Sequence, residues 1–455
     1  AVAAIIDQNI TNSGGLSTGQ LANFSSLLNS IGANGTSADQ LAKNLEQLTP
    51  QSLQYSQAIA YEHSAFLVSK VDGFDNALHH EFSGFDTSGV TIVLPGFNSS
   101  LGRQMQSMLA YNSGYHDAAP NGVNYYPGTD DTPTSASIDE GSSPASSRTI
   151  SDVPTSAPMP MHTEPHTVTI RKPYSNFSAF IGGDGTIADL NQDQGASYAP
   201  SSKATYSAVD AVAGISYRFT NNFAAGVLFD FSHTDATTDG YGSKTKVDSY
   251  SPGVFATYGD KGFYLNGLFA YGRNNYSNNR HIPVVGGIAN SNPDGNQYTA
   301  ALDAGQELHL GSGFTLTPQG GLTYTHLDVD SFTETGAEPA DLSVQAFHVD
   351  SLRSRLGAAL GYATYVGHIA FLPTFTAMWQ HEFLDENAPI TSSFNDFSSG
   401  AFTIHSVSMG RDSALIGIGV TAELDNSMAI FLECNADLNG NYDVENFVGG
   451  FKGSF

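Results

Sequence analysis

The chain has 455 residues, a formal net charge of -27 and a pI near 4.5. Its 17 lysine and arginine residues are scattered without a basic run, which argues against binding to nucleic acid. Its single cysteine, Cys434, excludes an intramolecular disulfide, and no segment approaches the roughly 18 consecutive apolar residues of a transmembrane helix. Abundant aromatic residues and glycine, with only 13% charged residues, favour an all-β fold, and a mean hydropathy of -0.18 is compatible with a membrane barrel.

The first region, residues 1–87, carries helical periodicity. Within it, residues 51–80 contain no proline, so we predict a helix there, with Thr49 as its cap and Pro50 in its first turn. Its composition favours helix as far as Gly73. The helix mixes apolar and polar residues around its surface, which suits a helix inside a polar lumen and also suits an ordinary surface helix.

The second region, residues 88–172, is loop-like at first and then rich in serine, proline and threonine. This composition predicts an irregular linker with little regular structure. Inside it, His162, Glu164 and His166 have a spacing that a metal site could use, but a solvated linker is the favoured interpretation. We therefore predict no metal site in the chain.

The third region, residues 173–455, consists of strands in which apolar residues alternate with small or polar ones. This period-two pattern predicts an all-β membrane protein whose strands face two environments. We count about twelve strands, an even number as single-chain bacterial outer-membrane barrels require. Their predicted spans are 176–190, 207–220, 222–235, 245–259, 262–276, 297–310, 314–328, 350–366, 368–384, 411–424, 427–438 and 445–455.

The connections between these strands alternate between tight turns and long polar loops. The long loops are predicted at 191–206, 236–244, 277–296, 329–349 and 385–410. Outer-membrane barrels have short periplasmic turns and longer extracellular loops. We therefore expect a barrel in the bacterial outer membrane, in contact with its lipid, with the long loops facing the cell exterior.

The inward positions of the predicted strands carry charges of both signs. The predicted lumen-lining residues are Asp210, Arg218, Asp230, Asp303, Glu307, Arg353, Arg355, Glu382, Glu423 and Glu433. Such a lumen suits water or a plug. We expect the two arginines Arg353 and Arg355 to pair with lumen acids such as Glu382 or with a threaded helix.

The last strand places Phe447, Phe451 and the chain-terminal Phe455 on one face. A final strand that ends in an aromatic residue is a common mark of outer-membrane barrels. We interpret these three residues as a barrel-assembly signal, read by the barrel-assembly machinery. Cys434 lies at an apolar position of the preceding strand, where a small lipid-facing residue is the favoured interpretation.

Most of residues 176–455 resembles the translocator domain of bacterial autotransporters, the type V secretion proteins. The resemblance rests on the order and spacing of the terminal phenylalanine and five motifs: VDSYSPGVFATY at 247–258, LTYTHL at 322–327, SLRSRLG at 351–357, WQHEF at 379–383 and SALIGIG at 413–419. It implies a twelve-stranded barrel with an N-terminal helix through its lumen. It also implies that the barrel exports an upstream passenger and anchors it at the cell surface. The partner of the barrel is then a segment of its own passenger. The long second region departs from the family and leaves open which helical stretch occupies the pore.

The chain lacks a Gly-x-Ser-x-Gly elbow, a Walker loop and a cysteine pair, so we expect no enzyme, no catalytic residue and no cofactor. Some autotransporters release their passenger by attack of an asparagine on its own backbone. Asp75-Asn76 is the only comparable position, and a helix C-terminus explains that asparagine equally well.

Two further expectations concern the whole protein. Residues 1–30 lack the charged start and apolar core of a signal peptide, so we expect a C-terminal fragment or a processed product. The alternative function is an outer-membrane channel or surface-binding, adhesin-type barrel, in which residues 1–172 form a folded module.

Overall fold

The computed structural model describes residues 2–11, 17–32, 37–82, 92–94, 166–168, 176–191, 203–366, 369–384, 387–396, 400–424 and 428–454. The chain divides into two compact units, one of Ala1–Ser83 with Ser175–Phe455 and one of Gly84–Tyr174. In the second unit the described residues are an antiparallel strand pair, Ile92–Leu94 and His166–Val168. His162, Glu164 and most of the predicted linker lie outside the described residues.

Twelve antiparallel strands of the first unit close into a barrel. Each strand pairs with its neighbour in the chain, and the twelfth pairs with the first. This confirms the predicted fold. The strands are β1 Phe177–Leu190, β2 Ala204–Thr220, β3 Phe223–Thr238, β4 Lys244–Asp260, β5 Phe263–Ile282, β6 Asp294–Gln306, β7 Phe314–Val329, β8 Phe347–Tyr362, β9 Ile369–Glu382, β10 Asp412–Glu423, β11 Met428–Leu438 and β12 Tyr442–Ser454.

The alternation of side chains gives the barrel an apolar outside and a polar inside. In β2, Val209 and Ile215 are exposed on the outer face, while Asp210 and Ser216 are buried on the inner face. Successive residues of a strand point to opposite faces, so this sorting follows directly from the sequence. On the outer face near the tight-turn end, four aromatic rings contact one another in succession, with centroids 4.9 Å, 5.0 Å and 5.9 Å apart. They are the rings of Phe177, Tyr217, Phe219 and Phe223.

The two ends of the barrel differ in their connections. Between β4 and β5 the turn residues Lys261 and Gly262 have φ values of 50° and 83°. Positive φ at both positions is the geometry of a two-residue hairpin turn whose twist matches that of its strands. Short strands extend the walls at this end, Leu308–Gly311 beside β7 and Thr364–Val366 beside β9.

At the opposite end, two predicted loops are wrong in length. Residues 236–244 were predicted as loop, but β3 runs to Thr238 and β4 begins at Lys244. Likewise β5 continues to Ile282 and then pairs with the short strand Gly287–Ser291. The added residues are mostly asparagine, serine, threonine and lysine. Their backbone pairing continues although the apolar alternation has ended, so hydropathy does not reveal it.

The long loops carry a second sheet of their own. It has four antiparallel strands, in the order Phe332–Thr333, Leu342–Val344, Pro389–Phe394 and Phe402–His405. The first two belong to the connection between β7 and β8, and the last two to the connection between β9 and β10. The long-loop mouth of the barrel is therefore structured.

The N-terminal part is helical. It contains α1 Val2–Thr11, α2 Thr18–Ile31, α3 Ala38–Glu46, a 3₁₀ turn Gln51–Leu53 and α4 Ser56–Phe82. Ser17 and Gln20 form a reciprocal capping box at the start of α2, which ends at Gly32 with φ 71°. Among the described residues, these helices include none that is both long and apolar enough to cross a membrane.

The predicted start of the long helix is wrong. α4 begins at Ser56, because residues 51–53 form the 3₁₀ turn instead. Thr49 does not cap α4: its hydroxyl donates to the carbonyl of Glu46, 2.7 Å away, at the end of α3. The helix also continues beyond Gly73 to Phe82.

Candidate functional site in the barrel lumen

The long helix α4 lies inside the barrel. Near its start, the Gln57 carboxamide oxygen accepts hydrogen bonds from Ser406 and from the Ala388 backbone, both in the long loops. Further along, the Ser64 and Thr299 hydroxyls are 2.8 Å apart, in the middle of the α4–β6 contact. The helix therefore enters from the long-loop mouth, and its interior position decides between the lumen and surface alternatives.

The helix runs toward the tight-turn mouth. Lys70 contacts Asp184, which is the eighth residue of β1 counted from the tight-turn end. Phe82 lies twelve residues beyond Lys70, or about 18 Å further along the axis at 1.5 Å per residue. The backbone of α4 is thus long enough to reach from one mouth to the other. The side chains of residues 72–82, which include Asp75 and Asn76, lie outside the described residues.

The lumen wall meets Lys70 with three buried carboxylates on neighbouring strands. The Lys70 ammonium lies 2.5 Å from Asp184, 3.1 Å from Asp230 and 3.6 Å from Asp210. Asp184 and Asp210 are direct cross-strand partners in β1 and β2, and Asp230 follows on β3. We call these three residues the carboxylate row. Three buried carboxylates repel one another unless positive charge compensates them. The Lys70 ammonium lies within 3.6 Å of all three, and the His63 imidazole of α4 lies 3.6 Å from Asp230.

About two helical turns from this row, toward the long-loop mouth, the charges are reversed. Arg353 on β8 approaches Glu62 of α4 to 3.8 Å and Glu382 of β9 to 3.2 Å. Its guanidinium also lies over the Tyr61 ring, 4.5 Å from the centroid. Arg353 thus pairs with a lumen acid and with the threaded helix at once, the two partners that the sequence suggested.

The apolar packing of the helix in the middle of the barrel is concentrated on one side of the wall. Leu67, Val68 and Val71 join a buried apolar cluster with β1–β6, whose other members are Phe180, Val212, Leu228, Phe255, Leu268, Ala270 and Ala301. A cavity of about 210 Å³ lies beside the helix and is lined by residues of α4 and of β5–β12. Its lining mixes apolar residues with charged ones, which are Glu62, Asp303, Arg355, Glu433 and Asp437. The helix therefore occupies the lumen without filling it.

The predicted lumen residues fall into three groups. Asp210, Arg218, Asp230, Arg353 and Glu382 are buried inside the barrel. Asp303 and Arg355 pair with each other at 2.7 Å beside the cavity, which Glu433 also lines. Glu307 and Glu423 are half-buried near the tight turns.

Asp184 was not predicted to line the lumen, although its parity in β1 indicates the inner face. Its neighbours Gly182, Gly183 and Gly185 obscure the alternation on that strand. The contacts of Lys70 and Glu62 of α4 with wall charges were not predicted either. Their partners lie more than a hundred residues away in the chain, so no local pattern connects them.

At the long-loop mouth, a buried arginine joins the N-terminal segment to the loops. The Arg280 guanidinium donates to the Glu334 carboxylate at 2.9 Å and 2.5 Å, to the Gln47 carbonyl at 2.9 Å and to the Ala340 carbonyl at 2.8 Å. In return, the Gln47 side chain accepts from the Val284 backbone at 2.8 Å. Arg280 was missed because residues 277–296 were predicted as a loop.

Around this arginine lies a large buried apolar cluster, which we call the mouth cluster. It is formed by the N-terminal helices, the long-loop ends of the barrel strands and the four-stranded sheet of the long loops. Members include Leu27, Ile31, Leu48, Leu53, Leu190, Tyr206, Ile282, Leu342 and Ile404. Burial here raises the pKa of the Tyr55 phenol above its usual range, and the Asp239 and Glu46 carboxylates add to the effect. The N-terminal segment thus covers the mouth through which α4 enters.

The closing strand β12 has its aromatic residues on the outer face. Phe447 and Phe451 are 53% and 38% exposed. Cys434 pairs with Phe447 across β11 and β12, on the same face. Phe455 lies outside the described residues. Within the parts of the chain that the structure describes, no group of three histidine, cysteine or acidic residues could hold a metal ion.

Comparisons with known proteins agree on the family. Residues 180–435, more than half of the chain, match the family model of the autotransporter β-domain. Outer membrane protein A of Rickettsia conorii is 26% identical over 194 residues, which are 40% of this chain and 9% of that protein. Esterase EstA of Pseudomonas aeruginosa is 24% identical over 259 residues, or 55% of this chain and 38% of that protein. The chain thus spans well under half the length of either relative.

The translocator domain of the autotransporter NalP from Neisseria meningitidis has a similar fold. It matches 62% of this chain and 90% of its own length, with a TM-score of 0.50 at 17% identity.

Proposed function

Because the chain belongs to the autotransporter β-domain family, we propose that it exports an upstream passenger through the outer membrane and then holds the end of that passenger at the cell surface. The β-domain of this family is the outer-membrane translocator. The observation that carries the anchoring proposal is α4, which lies in the lumen and connects the N-terminal helices at one mouth to the opposite end of the barrel.

The asymmetry of the loops supports an orientation with the long loops facing the cell exterior. Single-chain bacterial barrels keep short turns in the periplasm and long loops outside. With that orientation, α1–α3 and the passenger upstream of them lie at the cell surface. We propose a division of the chain into residues 1–87, 88–172 and 173–455. The second of these segments is the linker, and it follows α4 in the chain.

The outer face of the barrel supports a lipid environment. On β3 it is apolar from Phe223 to Phe231, and then changes to the partly exposed His233 and Asp235. Eight residues at about 3.3 Å each, tilted by about 40°, span roughly 20 Å, close to the apolar band of about 25 Å in outer-membrane barrels. We propose that lipid contacts this band, and that the assembly machinery reads the exposed aromatic residues of β12.

We propose that the barrel itself carries out no chemical step. Among the described residues, the lumen cations Lys70, Arg353 and Arg355 are paired with buried or largely buried carboxylates, which supports a structural role for these charges. An enzymatic activity of the whole protein would reside in the passenger.

Single-cysteine labelling tests the orientation and the anchoring. On a Cys434→Ala background, we place cysteines at Ala401 in the long loops, at Ser26 on α2 and at Lys261 in a tight turn, all exposed positions. With a membrane-impermeant maleimide on intact cells, we expect labelling at Ala401 and Ser26, and at Lys261 only after the outer membrane is permeabilised. A cysteine at the buried Gln57 stays protected. Labelling of Lys261 but not Ala401 on intact cells would reverse the orientation.

The channel alternative makes a different prediction. An open channel conducts strongly with or without the N-terminal segment. A barrel occupied by α4 and covered by the mouth cluster has a low conductance in planar bilayers, which rises when residues 1–82 are deleted. High conductance that is unchanged by the deletion would favour the channel.

A further inference from the structure

The N-terminal segment, residues 1–82, carries many more acidic than basic side chains. Between residues 1 and 82 the only lysine or arginine residues are Lys43 and Lys70, beside three histidines. The carboxylates of the same stretch are Asp7, Asp39, Glu46, Glu62, Asp72, Asp75 and Glu81. Lys43 is exposed on α3 at the long-loop mouth, so Lys70 is the single lysine of α4. The cation that the carboxylate row requires is therefore supplied by one position of the helix.

Two helix charges of opposite sign each face wall charges of the complementary sign. Glu62 meets Arg353, and Lys70 meets the carboxylate row. Eight residues of helix separate Glu62 from Lys70, which corresponds to about 12 Å along the axis. The wall presents its arginine and its carboxylates at this same separation, so both pairs form together in one register.

A shift of the helix by one turn breaks both pairs at once. If the helix moves by four residues in one direction, Phe66 takes the place of Lys70 and Ala58 that of Glu62. In the other direction, Phe74 faces the carboxylate row and Phe66 faces Arg353. Each shift leaves three buried carboxylates without a cation, an arrangement that proteins avoid. The charge pattern therefore acts against neighbouring registers as well as for the observed one.

We propose that Lys70 is the positioning residue that determines where the exported chain stops in the barrel. This proposal rests on the proposed export function, because it requires a segment that slides through the lumen before it comes to rest. In this view the apolar contacts of Leu67, Val68 and Val71 hold the helix against the wall but tolerate sliding. The carboxylate row then selects the final register.

Disulfide trapping measures the register directly. On a Cys434→Ala background, Ser64→Cys with Thr299→Cys reports the observed register, since the two hydroxyls lie 2.8 Å apart. Ala60→Cys or Val68→Cys, each with Thr299→Cys, reports a shift by one turn. With Lys70 present, we expect the Ser64–Thr299 crosslink to dominate. With Lys70→Met, which keeps the length and removes the charge, the ratio of native to shifted crosslinks falls by at least about tenfold.

Two control variants test whether charge at this position is the cause. Lys70→Arg retains the cation and keeps the native crosslink dominant. Lys43→Met removes the other lysine of the segment and leaves the ratio unchanged. If Lys70→Met barrels keep the native ratio, the proposal is wrong.

A fourth variant distinguishes a failure of the barrel to assemble from a change in the register of the helix. If Lys70→Met does not insert, the carboxylate row is neutralised in the same chain with Asp184→Asn, Asp210→Asn and Asp230→Asn. We expect these barrels to assemble with mixed registers, and a purely native register in them would overturn the proposal. Surface labelling of Ser26→Cys in the same cells reports export separately. Absent labelling with normal crosslinks would contradict the export function, and with it the stopping role, while the effect of Lys70 on the register would stand.

Discussion

Replacing Arg280 by methionine is the sharpest test of how the N-terminal segment is held on the barrel. Arg280 is 1% exposed and donates to the Glu334 carboxylate and to the carbonyls of Gln47 and Ala340. Methionine fills a similar volume but donates nothing. Glu334 then remains buried and still accepts a hydrogen bond from the Leu342 backbone N–H at 3.0 Å, whereas the Gln47 carbonyl loses its donor.

The expected cost is about 3–5 kcal/mol, the range for removing one partner of a buried ion pair. The twelve-stranded ring is hydrogen-bonded independently of this contact, so the cost falls on the attachment of residues 44–55 to the mouth. A loss of about 3 kcal/mol raises the population of the open segment roughly 150-fold. The effect is therefore local and large.

Hydrogen exchange in detergent-solubilised barrels measures this opening. The amides of Leu48 and Thr49 donate to the carbonyls of Leu45 and Glu46 and report on the segment. We expect their protection to fall about a hundredfold or more in Arg280→Met, while amides in the middle of the barrel strands keep theirs. The double variant Arg280→Met with Glu334→Gln recovers part of the loss, because no buried charge is left unpaired.

The matched control is Arg273→Met on the same strand. Arg273 pairs with Asp294 at 2.5 Å, but both side chains are more than a third exposed. Exposed pairs contribute about 0–1 kcal/mol, so this variant leaves the exchange of Leu48 and Thr49 unchanged. Equal effects of the two substitutions would refute the argument that burial makes the Arg280 contact decisive.

Two other predictions concern the closing strand. A methyl group on Gly450 would lie 2.3 Å from the Phe431 ring, whereas one on Gly453 meets nothing closer than 3.6 Å. We therefore expect Gly450→Ala to lower the unfolding temperature of the barrel in detergent, at a cost of about 1–3 kcal/mol, and Gly453→Ala to leave it unchanged. Equal unfolding temperatures of the two variants would contradict this prediction. Deletion of Phe455 sharply lowers the amount of heat-modifiable barrel in outer membranes, and normal insertion of the deleted chain would count against the proposed assembly signal.

The strands could be read from the sequence because their cause is local. Residues such as Val209 and Asp210 alternate with period two, and any strand with this alternation presents two different faces. The twelve strands and the end that carries the tight turns follow from this pattern. Where the alternation lapses, the prediction fails: the strand was predicted to end at residue 276, but Asn278 and Arg280 extend the inner face of β5 with polar side chains.

The composition of residues 51–80 determined that a helix forms there, but not where it lies. A helix that mixes apolar and polar residues on all faces is compatible with a barrel lumen and with a protein surface. Helix propensity depends on residues that are close in the chain, so it does not determine the environment of the helix. Only the closed barrel decides that Lys70 meets Asp230, 160 residues away, and that Arg280 meets the Gln47 carbonyl, 233 residues away. Burial removes the water that would otherwise satisfy these groups, so the tertiary structure alone determines their partners.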